Sequence, residues 1–336
     1  MNCRNNIFKI LLIINSTFLI ASSDFFDSFS QYSSNTYTAK SQLLGDNGYS
    51  SLRGANSVFL NPANLVNSKH SVSFSSCTSF ETLINHSQLS TNFNIYGQTV
   101  GIGVATKIID DIYITNNAWN DNNQDNKINN QTEIDYTKII SSSEKEYLFI
   151  IGIPFKISYF DFGLSLKQGY YRLSTYSNYS TSFDLGASFY ESDNKRLGFS
   201  TIFRNLFLYK KWNRKSTEYF NPIAIESIYY LTDLFKLETS FKHSLANSSL
   251  NSISIGAELF ILKNNRLILG YTINSYYNLS KTSSFNLGFE TEYKNNQLLY
   301  GVKILDDFKY EYMFAININY NTFKSIYNIS NPLRYL

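Results

Sequence analysis

Strict alternation of apolar and polar residues, repeated in short segments from His70 onward, constrains this chain more than any other feature. In FNLGFETEY (285–293), Phe285, Leu287 and Phe289 alternate with Asn286, Gly288, Glu290 and Glu292. The same pattern recurs in FDFGLSL (160–166), FDLGASF (183–189), FKLETSF (235–241), ISIGAEL (253–259) and FAININY (314–320). A period of two places like residues on one face of a β-strand, whereas the 3.6-residue period of a helix would mix them. The spacing predicts strands near 70–77, 86–95, 99–108, 145–155, 158–168, 181–190, 196–206, 221–231, 234–243, 252–262, 266–275, 283–293, 297–305 and 311–320, fourteen in all. Most have about the 9 to 11 residues that a tilted strand needs to cross the hydrocarbon of a bilayer.

Alternation alone also suits a soluble antiparallel sheet with one wet face. The connections favour a membrane barrel. Tight ones are predicted at 96–98, 156–157, 191–195, 232–233, 263–265 and 294–296, and longer ones between them at 78–85, 109–144, 169–180, 207–220, 244–251, 276–282 and 306–310. Outer-membrane barrels sort their connections in this way, short turns to the periplasm and long loops outside. Aromatic residues crowd the strand ends, among them Tyr96, Tyr147, Phe155, Tyr159, Tyr190, Tyr293 and Tyr310, where amphipathic rings suit the headgroup level. The fold expected is therefore all-β: a transmembrane antiparallel β-barrel of about fourteen strands.

Glycine recurs on the polar face. Gly101, Gly103, Gly152, Gly163, Gly186, Gly198, Gly256, Gly270, Gly288 and Gly301 all fall opposite the apolar positions, near mid-strand. A strand glycine marks a bend or a close approach by another backbone. These ten either relieve crowding in a curved wall or clear the lumen for a plug or a ligand. Lys107, Lys167, Arg204, Glu226, Lys236, Glu238, Lys242, Glu258, Glu290 and Lys303 share that face and are expected to line the lumen. The formal charge of +3 is small and scattered, which excludes a nucleic-acid partner.

Ahead of the strands the chain changes character. Arg4 and Lys9 precede the apolar run ILLIINSTFLIA (10–21), and Ala21-Ser22-Ser23 predicts cleavage of a signal peptide spanning 1–23. Only Cys77 then remains of two cysteines, so no internal disulfide is expected. Residues 24–69 show no alternation, and 24–44 read as weakly structured. In LRGANSVFLNPANL (52–65), Asn61 suits a helix cap and Pro62 the first helical position. Phe59, Leu60, Leu65 and Val66 around that turn imply that it is packed. The domain reading is a signal peptide at 1–23, an N-terminal segment and hatch at 24–69, a barrel at 70–320 and a tail at 321–336.

A Gly-Ala segment running into Asn-Pro-Ala-x-Leu ahead of an alternating barrel resembles the PorV/PorQ family, a branch of the FadL-like outer-membrane proteins. Later pieces agree in order: FDLGA (183–187) followed by LGFSTIFRNL (197–206), then SIGAEL (254–259). The resemblance implies that Asn61, Pro62 and Ala63 belong to a hatch inside the lumen, and that the protein resides in the outer membrane of a Gram-negative bacterium among outer-membrane lipid. It further implies FadL-like passive transport of a small hydrophobic or amphipathic ligand. The PorV branch implies instead a component of a secretion or surface-attachment system that binds a secreted protein and conducts nothing. A secreted soluble β-protein is the third reading.

No enzyme is expected. The histidines are His70, His86 and His243, the last two placed toward the external rim, and nothing pairs a base with an orienting carboxylate. No cofactor is expected apart from calcium: DNNQDNKIN (121–129) resembles the start of EF-hand and dockerin loops, with Asp121, Asn123 and Asp125 as ligands. Thr132 stands where the final bidentate acid belongs, with Glu133 one residue late.

Overall fold

The backbone N–H and C=O groups of a strand need partners on both sides, and within a membrane only a ring of strands supplies them without an edge. The structure, a computed structural model, describes residues 38–319 apart from 67, 80–82, 116, 120–132, 175, 192–195, 213–216, 220–222, 246–249, 277–281 and 306–308. The expected signal peptide, the calcium-like loop with Asp121, Asn123 and Asp125, and the tail lie outside the described residues.

The strands are β1 (Ser71–Ser79), β2 (Ile84–Ile95), β3 (Gln98–Ile114), β4 (Ile140–Ile157), β5 (Phe160–Leu173), β6 (Tyr176–Tyr190), β7 (Leu197–Trp212), β8 (Thr217–Tyr219), β9 (Ile223–Leu231), β10 (Phe235–Ser244), β11 (Leu250–Leu262), β12 (Asn265–Tyr276), β13 (Thr282–Tyr293), β14 (Asn296–Leu305) and β15 (Tyr310–Asn319). Each pairs antiparallel with its sequence neighbour, except that β7 passes over β8 to pair with β9. The register Ser71↔Asn319 to Ser79↔Glu311 joins β15 back to β1. Fourteen strands thus close the barrel, while β8, among the described residues, pairs with the outer end of β7 alone.

The distribution of side chains inverts that of a soluble protein. Phe285, Leu287 and Phe289 on β13 stand 40–45% exposed on the outside, and Ile253 and Ile255 on β11 do likewise. Asn286, Glu290, Ser254 and Glu258 on the same strands are buried inside. A continuous apolar exterior of this extent requires hydrocarbon as its solvent. One of the expected lumen charges departs from this pattern. Glu226 shares the parity of outward Ile228 and Tyr230, so it faces out near the outer end of β9 rather than into the lumen.

One rim carries the short turns, at 96–97, 158–159, 263–264 and 294–295 among others. Tyr96 with Gly97, and Lys294 with Asn295, both have positive φ at their two central positions, as the tightest twisted hairpins demand. The other rim departs from the sequence reading. The expected loop at 169–180 is strand almost throughout, β5 running to Leu173 and β6 starting at Tyr176. β3 to β7 run for 14 to 18 residues, and at about 3.3 Å per residue they outrun the apolar layer. Above that layer neither face must be apolar, so pairing continues where alternation stops.

The wall has one pronounced irregularity. Thr181 faces Tyr209 and Leu185 faces Phe203, so four steps on β6 match six on β7. Asn205 and Phe207 take up the excess with positive φ, as bulged residues do.

Candidate functional site in the barrel lumen

Two short helices and a turn, all N-terminal to β1, fill the periplasmic part of the lumen. Helix α1 (Ala39–Leu43) begins at Thr38, whose hydroxyl accepts from the Ser41 N–H at 3.2 Å. The sequence reading left 24–44 as weakly structured, because five residues hold too little pattern to register. Helix α2 (Ser57–Leu60) leads through Asn61 into a 3-10 turn at Pro62–Leu65. Leu43, Leu44, Tyr49, Phe59, Leu60 and Leu65 are fully buried.

Asn61, Pro62 and Ala63 lie inside the barrel with little or no exposure. Asn61 Oδ1 accepts from the Ala63 N–H at 3.1 Å, which caps the turn. Its Nδ2 donates to the Tyr49 carbonyl and to Ser188 Oγ on β6, both at 3.0 Å. Asn64, which the sequence reading did not single out, does as much: Nδ2 donates to the carbonyls of Tyr49 at 2.8 Å and Leu52 at 3.0 Å. Its Oδ1 accepts from Ser188 Oγ at 2.9 Å and lies 2.7 Å from the Tyr190 hydroxyl. The two asparagines therefore bind the hatch to itself and to the wall. Opposite them, Arg204 on β7 donates to the carbonyls of Phe59 and Leu60, each at 2.8 Å, satisfying the C-terminal end of α2.

The strand glycines make room for this hatch. A Cβ on Gly163 would fall 2.3 Å from the backbone of Pro62 and Ala63, one on Gly270 would fall 2.2 Å from Gly45 N, and one on Gly256 would fall 2.3 Å from Leu44 O. Gly101, Gly103 and Gly152 face Leu65, Val58 and Phe59; Gly186 faces Asn61; Gly288 and Gly301 face Leu43. Gly198 differs: its space is taken by Tyr190 and Tyr229 of the neighbouring strands. Nine of the ten glycines thus stand against the hatch, and the tenth relieves crowding within the wall.

One charge cluster holds the hatch and a second braces the wall. On the periplasmic side, Lys40 Nζ lies 2.6 Å from Glu290 and 3.3 Å from Glu258. Arg266 reaches Glu290 at 2.7 Å and Glu292 at 2.8 Å, and Lys236 pairs with Glu258. Burial lowers the Lys40 ammonium below the ordinary lysine range, and the Glu290 carboxylate opposes that shift. Three cations thus meet three anions, with Lys40 the hatch's own contribution. At the bulge, Lys167 and Asp184 pair at 2.7 Å, each 1% exposed. Asn205 Oδ1 accepts from Lys167 at 2.7 Å while its N–H donates to Asp184 at 2.9 Å, so this pair fills the gap between β6 and β7.

Toward the outer rim the lumen combines apolar surface with ion pairs. Leu148, Ile223 and Ile225 are buried there, and Lys107 pairs with Glu144 at 3.2 Å and Glu146 at 3.8 Å. Tyr49 carries Arg204 and Lys242 over its ring at 5.5 Å and 5.4 Å. His86 lies within β2 on the lumen face, not on a solvated loop. Among the described residues no three His, Cys, Asp or Glu side chains group as a metal site.

No protein-family model matches the chain, and no curated protein sequence matches it. Solved structures do. The P. putida toluene transporter TodX superposes with a TM-score of 0.58 at 11% identity, covering 85% of this chain and 99% of that one. A TodX deltaS2S3 mutant, described as a monoaromatic hydrocarbon channel, gives 0.58 at 9% identity over 84% and 99% of the two chains. A Pseudomonas aeruginosa FadL homologue gives 0.49 at 9% identity over 83% and 97%. At such identities what is shared with TodX is the fold, a closed antiparallel β-barrel of fourteen strands here.

Proposed function

We propose that the chain is a hatch-gated outer-membrane barrel that passively admits a small hydrophobic or amphipathic compound. The observation that carries this reading is the N-terminal segment packed inside the lumen, which rests on glycines cleared for it and which we take to be the gate. Its outer side meets both apolar surface and half-buried ion pairs, a surface suited to an amphipathic passenger. TodX, whose fold the chain shares, is a toluene transporter. Full burial of six large apolar side chains stabilises the seated hatch by on the order of 10 kcal/mol. Complete ejection is therefore out of reach of a small ligand, and opening is a local rearrangement within the hatch.

The test uses a tether. Ser50 Oγ on the hatch and Ser200 Oγ on β7 are 2.7 Å apart, close enough for a disulfide after Ser50→Cys and Ser200→Cys. With Cys77→Ser to prevent mispairing, toluene uptake into proteoliposomes is expected to stop on oxidation and resume on reduction. Equal uptake in both states overturns the gating; no toluene uptake by the untethered protein overturns the passenger class.

A second reading draws on the outer wall. The projecting ends of β3 to β7 expose Tyr113, Tyr147, Tyr176, Tyr179 and Phe207, an aromatic surface suited to a protein partner. It supports the PorV-like alternative, in which the barrel holds a secreted protein. Purification from outer membranes with a stoichiometric exported protein, lost on Tyr179→Ser with Phe207→Ser, would support it over transport.

A further inference from the structure

Softer metal ligands are scarce in this chain, which has two methionines, two cysteines and three histidines. Three of these seven stand side by side. Cys77 on β1 is directly opposite Met313 on β15 and directly opposite His86 on β2, so the three form one row across three adjacent strands. All face the lumen: Met313 is 1% and Cys77 6% exposed, and His86 shares the parity of buried Gln88 and Ser90 while Leu89 between them faces out. Cys77 is in no disulfide.

Directly opposed residues on one sheet face have Cβ atoms about 4.5–5.5 Å apart. Met313 and His86 therefore flank Cys77 on the lumen face, one strand to either side. An ion held at about 2.3 Å from sulfur and about 2.0 Å from nitrogen would take one ligand from each of the three strands. A thiolate, a thioether and an imidazole form a soft set that selects copper(I) over the hard cations, which take oxygen ligands. These three contain no carboxylate; beyond His86 the row continues to Lys107 on β3, which is paired with Glu144 at 3.2 Å. Glu311, the acid on the same face of β15, stands opposite Ser79 and is already 3.9 Å from Lys303.

We infer that Cys77, His86 and Met313 form a copper(I) site on the lumen wall. Binding replaces the thiol proton of Cys77, which leaves to water, and copper stays monovalent, so no electron is exchanged. Cys77 and Met313 belong to the same buried cluster as Leu43, Leu44 and Tyr49, which sets the site against the hatch. The competing account is packing alone, since buried cysteine and methionine also serve as plain apolar filling.

The experiment uses the full chain in detergent, with Cys3→Ser so that Cys77 is the one thiol. Copper(I), kept reduced by ascorbate without oxygen, is titrated against the chromogenic chelator bicinchoninate. One copper per chain is expected, Cys77→Ser abolishes its capture, and Met313→Leu and His86→Asn each weaken it at least about tenfold, the scale on which a lost ligand-sphere interaction registers. Thermal unfolding of the metal-free variants is expected to match the parent. No capture by the parent overturns the site; capture indifferent to Met313→Leu and His86→Asn reduces it to a lone thiol; equal retention of zinc(II) overturns the copper assignment.

Discussion

At Gly163 an added Cβ meets backbone, whereas at Gly288 it meets the end of the Leu43 side chain at 2.7 Å. Backbone inside a packed hatch cannot yield, but a leucine terminus can rotate away. Gly163→Ala is therefore expected to displace the Asn-Pro-Ala turn and raise single-channel conductance, with Gly288→Ala close to the parent; equal behaviour of the two would refute steric seating. A different residue-scale test follows from Asn64, whose amide serves the Tyr49 and Leu52 carbonyls while its oxygen serves Ser188. Asn64→Leu removes the donor to the Leu52 carbonyl and the acceptor of the Ser188 hydroxyl, while the Tyr49 carbonyl keeps Asn61, at a cost of about 1–3 kcal/mol. The hatch is expected to loosen while the barrel's melting temperature holds, readable as faster hydrogen exchange at 49–52. At the bulge, Asp184→Asn strands a buried lysine beside Asn205 and is expected to cost about 3–5 kcal/mol, measured by denaturant unfolding in detergent.

Helix α1 has five residues, far fewer than an isolated helix needs in water. It persists because the wall holds it: Lys40 to Glu290, Asn286 Nδ2 to the Gln42 carbonyl at 2.6 Å, and Thr272 Oγ1 to the Gly45 carbonyl at 2.7 Å. Lys40→Met removes the one hatch charge from a balanced cluster of six, and its loss should free α1 before anything else. Rapid exchange confined to 39–47, with slow exchange in β11 to β13, is the expected result; unchanged protection at 39–43 would show that the ionic contact contributes nothing. The same dependence explains what the sequence could reveal. The fourteen wall strands were legible because each must turn one apolar face to lipid and one polar face inward, which writes a period of two into residues such as Phe285, Leu287 and Phe289. The ends of β3 to β7 were not, since beyond the hydrocarbon no face is selected. Asn61 and Pro62 announced a capped turn locally, but α1, Asn64 and the Cys77 row depend on partners more than a hundred residues away or on strand register, which no local pattern records.

For the whole molecule, the question is whether the barrel needs its hatch in order to stand. Its fourteen strands satisfy one another's backbone groups around a closed ring, and none of the ladders runs through the hatch. The wall beneath the hatch is lined by Ser73, Ser90, Ser200, Ser227, Ser254 and Thr272 together with glycine, groups that water can solvate once the hatch is gone. The charges that lose hatch contacts, Arg204 and Glu238 among them, would exchange these for water rather than for hydrocarbon, while Glu258 and Glu290 keep Lys40, so removal of 45–66 strands none of them. On the proposed reading, what the hatch contributes is closure. Deletion of residues 45–66 is therefore expected to give a chain that still inserts, still shows heat-modifiable migration and β circular dichroism, and passes small polar solutes that the parent excludes. Swelling of proteoliposomes in a small sugar measures this directly. A deletion that fails to insert would make the hatch part of the folding core, and one that inserts but remains tight would mean that the outer loops, not the hatch, seal the lumen.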